Sequence, residues 1–259
     1  MQEWEKALAE AVRLLHNARY VVALVGAGLS QESGIPTFRG PGGLWTRYGE
    51  PPMDGYQRFL RDPRAYWEEQ LRQETAGPRA ELMQAIAQAR PNPGHLALVD
   101  LERRGVLKCT ITQNVDNLHR EAGSQRLIEI HGNRTLLRCI SCGLRLPRKE
   151  FVVREIPPHC PECGGIIKGD GVMFGEPIPK EWLEACYAET ARCDCMLLIG
   201  TSGTVYPAAG FPQIVKMRGG SLIEFNPLET HLTPLCDVVV RASAAVALPR
   251  LVQMLSAEG

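Results

Sequence analysis

Four cysteines in two closely spaced pairs are the residues of this sequence that most directly indicate chemistry. Cys139 and Cys142 form one Cys-x-x-Cys pair and Cys160 and Cys163 form a second, with residues 143–159 between them. Two such pairs separated by about 15–20 residues supply the four thiolates of a tetrahedral Zn²⁺ site. Four protein ligands leave no open position for a substrate, so the spacing predicts a structural rather than a catalytic zinc.

A zinc ribbon that binds nucleic acid is the rival interpretation of this segment. Residues 134–170 contain seven Lys/Arg and four Asp/Glu, a net charge of +3. That excess is too small to favour contact with a phosphate backbone, and we expect no direct nucleic-acid binding. The remaining cysteines stand in or beside apolar runs and are expected to be small core residues. They are Cys109, Cys186, Cys193, Cys195 and Cys236.

A glycine-containing turn follows the first apolar run of the chain. Val25 is followed by Gly-Ala-Gly-Leu-Ser at 26–30, and small residues at the end of a strand let the backbone approach a pyrophosphate closely. The dinucleotide-binding pattern Gly-x-Gly-x-x-Gly is incomplete because Gln31 occupies the third position. From this turn alone, cofactor binding and an ordinary tight turn both stay open.

Three polar residues follow other apolar runs. His131 comes directly after the run 127–130, and Asn114 and Asp116 come after the run 106–112. Ligands bind at the carboxyl ends of strands in open α/β sheets, and side chains two apart in an extended segment project to one side. An imidazole, with an ordinary pKa of about 6.5, is suited to proton transfer at neutral pH. Loop capping is the competing interpretation for Asn114 and Asp116.

Short apolar runs alternate with helix-length segments along the chain. Strands are predicted at 20–25, 106–112, 127–130, 195–200, 221–225 and 237–240, and helices at 3–18, 94–104, 208–218 and 245–256. This alternation, with strands that are apolar throughout, predicts a parallel sheet covered by helices on both faces. Two segments interrupt the rhythm, 40–85 and 134–177. They are predicted to be insertions that pack together as a smaller lobe.

Composition excludes several classes of protein. The chain has 259 residues, 29 Lys+Arg against 29 Asp+Glu, and therefore no net charge that would favour nucleic acid or an anionic membrane. Its apolar runs fall far short of the roughly 20 residues that span a bilayer. The N-terminus lacks the basic start and apolar stretch of a signal peptide. Nine cysteines without an export signal favour thiols and metal in a reducing cytoplasm.

Longer strings of sequence carry more information than the single motifs. GAGLSQESGIPTFR at 26–39, TQNVDNLH at 112–119 and EIHGN at 129–133 resemble the signature blocks of the sirtuins, the NAD-dependent protein-lysine deacylases. Further similar strings are PNPGH at 91–95, FGE at 174–176 and GTS at 200–202. They occur in the family's order over roughly residues 20–245, which is most of the chain.

The resemblance implies a fold as well as a family. It implies an α/β architecture with a Rossmann-like, doubly wound parallel sheet and a smaller lobe made of a zinc-binding module and a helical insertion. Segments 1–39, 86–133 and 178–259 would form the NAD-binding domain. Segments 40–85 and 134–177 would form the small lobe, the first as the helical insertion and the second as the zinc-binding module.

The resemblance also implies a reaction in which NAD is a co-substrate. The carbonyl oxygen of an acyl-lysine would attack the nicotinamide ribose carbon and expel nicotinamide. His131 would then act as the general base that removes a proton from the ribose hydroxyl system, so that the 2′-oxygen attacks the resulting imidate. The products would be deacylated lysine, nicotinamide and an O-acyl-ADP-ribose.

Particular residues of this sequence match the family's binding positions. The resemblance implies nicotinamide and ribose contacts at Ile35, Gln113, Asn114 and Asp116, and a loop that closes over NAD at Phe38 and Arg39. Other NAD contacts are implied at Gly26, Ala27, Gly28, Ser30, Gly200, Thr201, Ser202, Asn226, Pro227, Leu228 and Ala244. The acyl-lysine protein substrate would bind as an extended peptide along a wall formed by Val172, Phe174, Gly175 and Glu176.

Two departures from the family pattern concern the substrate. Gly169 and Gly171 replace a more usual proline and a second β-branched residue beside the peptide wall. Sirtuins that prefer succinyl or malonyl groups carry a Tyr-x-x-Arg pair, which captures the acyl carboxylate. The aligned positions here are Gln70 and Gln73, with Arg72 one residue away. The sequence therefore favours neutral acyl groups, acetyl first.

Three other functions compete with deacetylation. Mono-ADP-ribosyl transfer to protein shares the early cleavage of nicotinamide, and a zinc-stabilised NAD-binding regulator would need no chemistry at all. The presence of His131, Asn114 and Asp116 counts against the regulator. A dehydrogenase is disfavoured by the missing third glycine and by the absence of a separate hydride-acceptor domain.

Overall fold

A computed structural model describes residues 3–72 and 77–257 of the chain. Its centre is a six-stranded sheet in which all neighbouring strands are parallel. The strands, numbered along the chain, are β1 (Val21–Val25), β2 (Leu107–Thr112), β3 (Leu127–Glu129), β7 (Cys195–Ile199), β8 (Ser221–Phe225) and β9 (Val238–Val240). Their spatial order is β3-β2-β1-β7-β8-β9, so the winding direction reverses between β1 and β7. A reversal of this kind opens a crevice at the carboxyl ends of the two strands.

Helices cover both faces of this sheet. They are α1 (Glu3–Asn17), α6 (Pro93–Arg103), α7 (Leu118–Ala122), α8 (Lys180–Arg192), α9 (Phe211–Met217) and α10 (Ala244–Ala257). Alternate residues of β1 face opposite sides, as the pleat of a strand requires. Ala23 and Val25 pack in one buried cluster with α1, α6 and α10, whereas Val22 and Leu24 pack in another with α8 and α9.

A second, smaller sheet lies in the cysteine-containing segment. It consists of β4 (Leu136–Cys139), β5 (Arg145–Pro147) and β6 (Ile167–Gly169), which are antiparallel in the order β5-β4-β6. Four helices precede it in the chain: α2 (Leu44–Tyr48), α3 (Gly55–Arg61), α4 (Pro63–Leu71) and α5 (Pro78–Gln88). Trp67 of α4 is buried against Leu137 and Ile167, and its indole N–H donates to the Ile167 carbonyl at 2.7 Å. The helical segment and the cysteine segment therefore share one core.

The predicted parallel sheet is confirmed, with strand ends that differ by one residue or less. Sequence reasoning missed α8 and the three-stranded sheet. The buried side of α8 contains Cys186 and Thr190 rather than large aliphatic residues, so its helical period is weak. The domain boundaries inferred from the sequence stay a prediction. Among the described residues, no helix is both long and apolar enough to cross a membrane.

Candidate active site

The turns after β1 and β7 meet at the crevice, and their glycines are packed against each other. The Gly28 amide donates to the Gly200 carbonyl at 2.9 Å. A Cβ atom on Gly28 would lie 2.7 Å from the Gly200 Cα, and one on Gly200 would lie 2.5 Å from the Leu29 nitrogen. These glycines are therefore required by the close approach of two turns, and the Gly28 amide is not available to a phosphate. The amides of Ala27, Thr201 and Ser202 have no hydrogen-bond partner within the described ranges.

Ser30 joins the two polar residues that follow β2. Its hydroxyl donates to the Asp116 carboxylate at 2.7 Å, and the Asn114 amide donates to the Ser30 hydroxyl at 3.1 Å. Asp116 also accepts the Leu118 backbone N–H at 2.9 Å, so it caps α7 as well as facing Ser30. Burial raises the pKa of Asp116, and the two hydrogen bonds oppose that shift. The contact with Leu118 fits loop capping, and the binding of a ligand by this carboxylate stays a prediction.

His131 is oriented by a backbone carbonyl. Its Nδ1 lies 3.2 Å from the Gln113 carbonyl oxygen. A carbonyl only accepts, so this contact assigns the proton to Nδ1 and the lone pair to Nε2. Nε2 has no hydrogen-bond partner in the part of the chain that the structure describes. Burial lowers the pKa of His131, which keeps the ring neutral at pH near 7.

Gln113 ties this histidine to the crevice. Its side-chain amide donates to the Thr201 hydroxyl at 3.0 Å and to the Val25 carbonyl at 3.3 Å. Gln113 lies in the turn after β2, and its side chain contacts the end of β1 and the turn after β7. Its backbone carbonyl orients His131. The sequence-predicted residues around β1, β2, β3 and β7 are in this way brought into one hydrogen-bonded group.

Three aromatic rings connect the predicted NAD loop to the predicted peptide wall. The rings of Phe38 and Trp45 are 5.0 Å apart, and those of Trp45 and Phe174 are 5.7 Å apart. The Arg39 guanidinium lies 4.4 Å over the Trp45 ring, pairs with Glu50 at 2.9 Å and donates to the Thr204 hydroxyl at 3.0 Å. Sequence reasoning missed Trp45, Glu50 and Thr204. The tryptophan in the glycine-rich stretch after Gly40 was the available sequence signal, but the sequence did not indicate which residues it contacts.

The segment 172–176 is held by hydrogen bonds that leave two of its backbone groups without a partner among the described residues. The Val172 amide donates to the His131 carbonyl at 2.9 Å, and the Met173 amide donates to the Glu176 carboxylate at 2.8 Å. The Phe174 carbonyl accepts the Tyr56 amide at 3.0 Å. Within the described residues, the Val172 carbonyl and the Phe174 amide have no partner. The Met173 carbonyl accepts the Glu176 amide at 3.0 Å, so residues 173–176 form a turn at the end of this segment.

The four predicted zinc ligands are gathered in one place. All four sulfur atoms lie within 4.8 Å of one another, with Cys139–Cys163 at 3.5 Å and Cys142–Cys160 at 3.7 Å. Zn–S bonds of about 2.3 Å in a tetrahedron put sulfur atoms about 3.8 Å apart, so the arrangement fits Zn²⁺. The Ser141 amide points at the Cys139 sulfur at 3.4 Å, as expected beside a thiolate ligand.

The remaining predicted NAD residues differ in how accessible they are. Pro227 and Leu228 are exposed, and the Asn226 amide donates to the Thr201 carbonyl at 3.4 Å. Ile35 packs with Ile86, Ala89 and Leu118 beneath the polar cluster. Ala244 is buried at the start of α10, and its backbone carbonyl carbon would lie 3.2 Å from a Cβ atom built on Gly94.

The fold belongs to the class in which a nucleotide binds across the switch point of a doubly wound sheet. Within that class, the model of the Sir2 family matches residues 26–207. The chain therefore belongs to the Sir2 family, and the sirtuin resemblance is confirmed. It is 46% identical over 252 residues to the NAD-dependent protein deacylase of Thermococcus kodakarensis, with 95% of each chain covered.

Solved structures give the same result. The chain is similar to a Sir2 homologue mutant in complex with ADP-ribose, with 40% identity, a TM-score of 0.82 and coverage of 100% of this chain and 98% of that one. It is also similar to a Sir2 homologue in complex with NAD, with 41% identity, a TM-score of 0.79 and coverage of 96% and 94%.

Proposed function

We propose that this protein is an NAD-dependent protein-lysine deacetylase, which transfers the acyl group from lysine to ADP-ribose and releases nicotinamide. The orientation of His131 carries the proposal. Its Nδ1 is bonded to the Gln113 carbonyl, and the Gln113 side chain reaches the crevice between β1 and β7. A neutral imidazole held in this tautomer presents an acceptor nitrogen for a hydroxyl proton.

NAD, as the co-substrate, would lie along this crevice. Asn114 and Asp116, held together through Ser30, would bind the ribose and the carboxamide of nicotinamide, with Ile35 and Gln113 beside them. The free amides of Ala27, Thr201 and Ser202 would donate to phosphate or ribose oxygen. Gly26, Gly28 and Gly200 would shape the turns, and the remaining contacts would come from Asn226, Pro227, Leu228 and, through its backbone, Ala244.

The loop containing Phe38 and Arg39 would exclude water from the reacting carbon. The Phe38 ring packs at a tilt of 40° against Trp45, which in turn contacts Phe174 on the peptide side. A ring held in this way shields the site, whereas Arg39 is half exposed and can exchange Glu50 for a phosphate.

The acyl-lysine protein would bind as an extended peptide beside Val172, Phe174, Gly175 and Glu176. The unpaired Val172 carbonyl and Phe174 amide can accept from and donate to one residue of an added strand. Since the Val172 amide is bonded to the His131 carbonyl, the same segment would fix the distance between the peptide and the base.

The small lobe would carry this segment. In this proposal residues 40–85 and 134–177 form the lobe, and Cys139, Cys142, Cys160 and Cys163 bind one structural Zn²⁺ that stabilises it. We further propose neutral acyl groups as substrates, acetyl first, because Gln70 offers no charge to an acyl carboxylate. Gln73, the second aligned position, lies outside the described residues. A reducing cytoplasm is consistent with nine free cysteines.

Replacement of His131 tests the assignment of the base. His131→Ala should lower the turnover of an acetyl-lysine peptide by about 10²–10⁴-fold, the scale of a general base. The matched control is His16→Ala, an exposed histidine in the last turn of α1, which should keep normal turnover. With labelled NAD, soluble acyl-ADP-ribose supports deacetylation. Turnover of His131→Ala equal to the control, or stable label on protein, would contradict the proposal.

A further inference from the structure

A fully buried lysine lies behind the proposed peptide wall. Lys168, at the centre of β6, has a relative exposure of 0%. Its ammonium group donates to the carbonyls of Gly169 and Gly171, at 2.8 and 2.7 Å, and lies 3.0 Å from the Glu176 carboxylate. Three acceptors satisfy the three N–H groups of an ammonium ion. Burial of such a charge is costly, so its retention at this place requires an explanation.

The three acceptors lie in the segment 169–176, which contains the proposed peptide wall. Glu176 uses the carboxylate oxygen that faces Lys168 to accept the Met173 amide at 2.8 Å. Its other oxygen accepts from Arg138 at 2.6 Å. Lys168 therefore fixes both the beginning of the segment, through the two glycine carbonyls, and its end, through Glu176.

Asp170, between the two glycines, is held by other partners. Its carboxylate pairs with Arg145 at 2.6 Å and accepts the Asn133 amide at 2.7 Å. Asn133 is two residues beyond His131, whose carbonyl accepts the Val172 amide. The buried charges thus connect the peptide wall to the backbone around the proposed base.

The two glycines make such a restraint necessary. Gly171 has no positive φ, and the nearest atom to a Cβ built on it is the His131 carbonyl oxygen at 3.9 Å, so neither conformation nor space demands glycine there. Two glycines in three residues leave the backbone with more freedom to lose on binding. A cation that binds both glycine carbonyls removes that freedom.

We propose that Lys168 is a positioning residue for the acyl-peptide substrate: its ammonium group holds the Gly169–Glu176 segment so that the Val172 carbonyl and the Phe174 amide are set for an incoming strand. The inference rests on the proposed function. It assigns to Lys168 no contact with NAD or with the reacting atoms.

The surroundings of Lys168 also make its charge sensitive to pH. Burial lowers the pKa of Lys168 to about 8, while Glu176 and Asp170 raise it and Arg138 lowers it. Tyr56 of α3 and Tyr66 of α4 also lie near Glu176, and burial raises the pKa of each above its usual value of 10.0. The pKa of Lys168 therefore lies below the pKa values of both tyrosines. A neutral amine has two N–H donors and cannot satisfy three acceptors.

The first test separates peptide binding from NAD binding. Lys168→Met should raise the KM for an acetyl-lysine peptide about tenfold, with the KM for NAD changed less than about twofold. Lys168→Arg, which keeps the charge, should recover most of the loss. Glu176 keeps Arg138 and the Met173 amide as partners in Lys168→Met, so the lobe should still fold. The matched control is Lys216→Met, which removes an ion pair to Asp237 on the surface.

The second test asks whether Lys168 restrains the glycines. Gly171→Ala, placed in the Lys168→Met variant, should restore part of the peptide KM because the added methyl group fits and stiffens the backbone. In the wild-type background the same change should have little effect. A merely structural lysine would give no such rescue.

The third test compares wild type with Lys168→Arg, which keeps the positive charge. With a blocked peptide that has no ionisable side chain, the wild-type KM for peptide should rise as the pH passes about 8, whereas Lys168→Arg should stay flat. The proposal would be overturned if wild type and folded Lys168→Met had the same KM for peptide, or if the variant raised the KM for NAD as much as the KM for peptide. Identical pH profiles of wild type and Lys168→Arg would also overturn it. If wild type itself releases no nicotinamide with peptide and NAD, the proposed function fails instead.

Discussion

The sheet domain and the cysteine-containing lobe of this molecule are stabilised by different interactions. One face of the parallel sheet alone has a cluster of 24 buried apolar residues among those described, from Leu8 in α1 to Val252 in α10. The cluster of the small lobe has five, of which Cys139 and Cys160 are proposed metal ligands. The lobe also buries Arg138, Lys168 and Asp170, whose charges pair with one another or with Glu176.

The difference follows from the small size of the lobe, and it indicates which changes should destabilise each region. A short antiparallel sheet cannot bury enough apolar area to offset the entropy of folding, and small modules usually need metal or cross-links. The sheet domain can do without either. We therefore expect metal removal to affect the lobe, core truncation to affect the sheet domain, and substrate binding to fail before NAD binding when the lobe is loosened.

Loss of zinc should give the largest effect. Structural zinc in small modules contributes an apparent binding free energy on the order of 10–16 kcal/mol, so Cys142→Ser should unfold the lobe locally. Zinc content and deacetylase activity should fall together, while the sheet domain keeps its cooperative thermal transition. Metal analysis and calorimetry on the same sample check this. Full activity in a zinc-free variant would contradict the claim that the lobe depends on zinc.

Truncation of the sheet core should come next. Leu198, in the middle of β7, is buried between α8 and α9, and Leu198→Ala should lower the free energy of unfolding by about 2–5 kcal/mol. Because Leu198 does not belong to the buried cluster that contains Cys139 and Cys160, the zinc content of the folded protein should not change. Urea denaturation gives the free energy. A loss of zinc equal to that of Cys142→Ser would show that the two regions are not separable.

The contact between α4 and the small sheet should matter less. Trp67→Phe removes the indole N–H that donates to the Ile167 carbonyl at 2.7 Å, which should cost about 1–3 kcal/mol for a buried polar group left without its partner. The cost should appear as faster zinc release to a chelator and a higher KM for peptide. NAD binding should change little, and an equal loss of NAD affinity would count against a separate lobe.

Acid should weaken the sheet domain through two buried histidines. Burial lowers the pKa of His95 to about 3 and that of His119 to about 4, and their rings are 5.1 Å apart. The unfolded chain takes up these protons below about pH 6.5, so stability is lost as the pH falls from there toward the folded pKa values. Each histidine should contribute about 1.4 kcal/mol per pH unit in that window.

The measurement is the pH dependence of urea denaturation in wild type and in His119→Gln, which cannot titrate. The variant should show a smaller drop between about pH 6.5 and 5.5. His231→Gln, at an exposed position, is the control and should match wild type. An identical drop in all three proteins would mean that protonation of His119 on unfolding does not contribute to the loss of stability.

The same contrast explains what could be predicted from the sequence. Strands such as β1 and β7 are apolar at every position because both faces are covered, and this pattern is visible without a structure. In β4 and β6 the chain places Arg138 and Lys168 opposite each other, so no apolar period reveals the sheet. Arg138 is paired with Glu176 and Asp170, which are distant from it in sequence, and residue spacing does not predict these pairs.

The candidate site divides in the same way. Residues that follow strands, such as His131 and Asn114, could be located because the ends of parallel strands meet at one edge. The role of Gly28 could not be predicted. The sequence pattern is the same whether this glycine faces a phosphate or packs against the backbone of Gly200. Trp45 was missed because its predicted role depends on ring contacts to Phe38 and Phe174, which the sequence pattern does not reveal.

The stoichiometry of the reaction tests the central claim most directly. Wild-type protein with NAD and an acetyl-lysine peptide should release one nicotinamide for each acetyl group lost, with an equal amount of acetyl-ADP-ribose. Omission of NAD should abolish the loss of acetyl groups. Deacetylation that proceeds without NAD, or release of nicotinamide while the peptide stays acetylated, would contradict it.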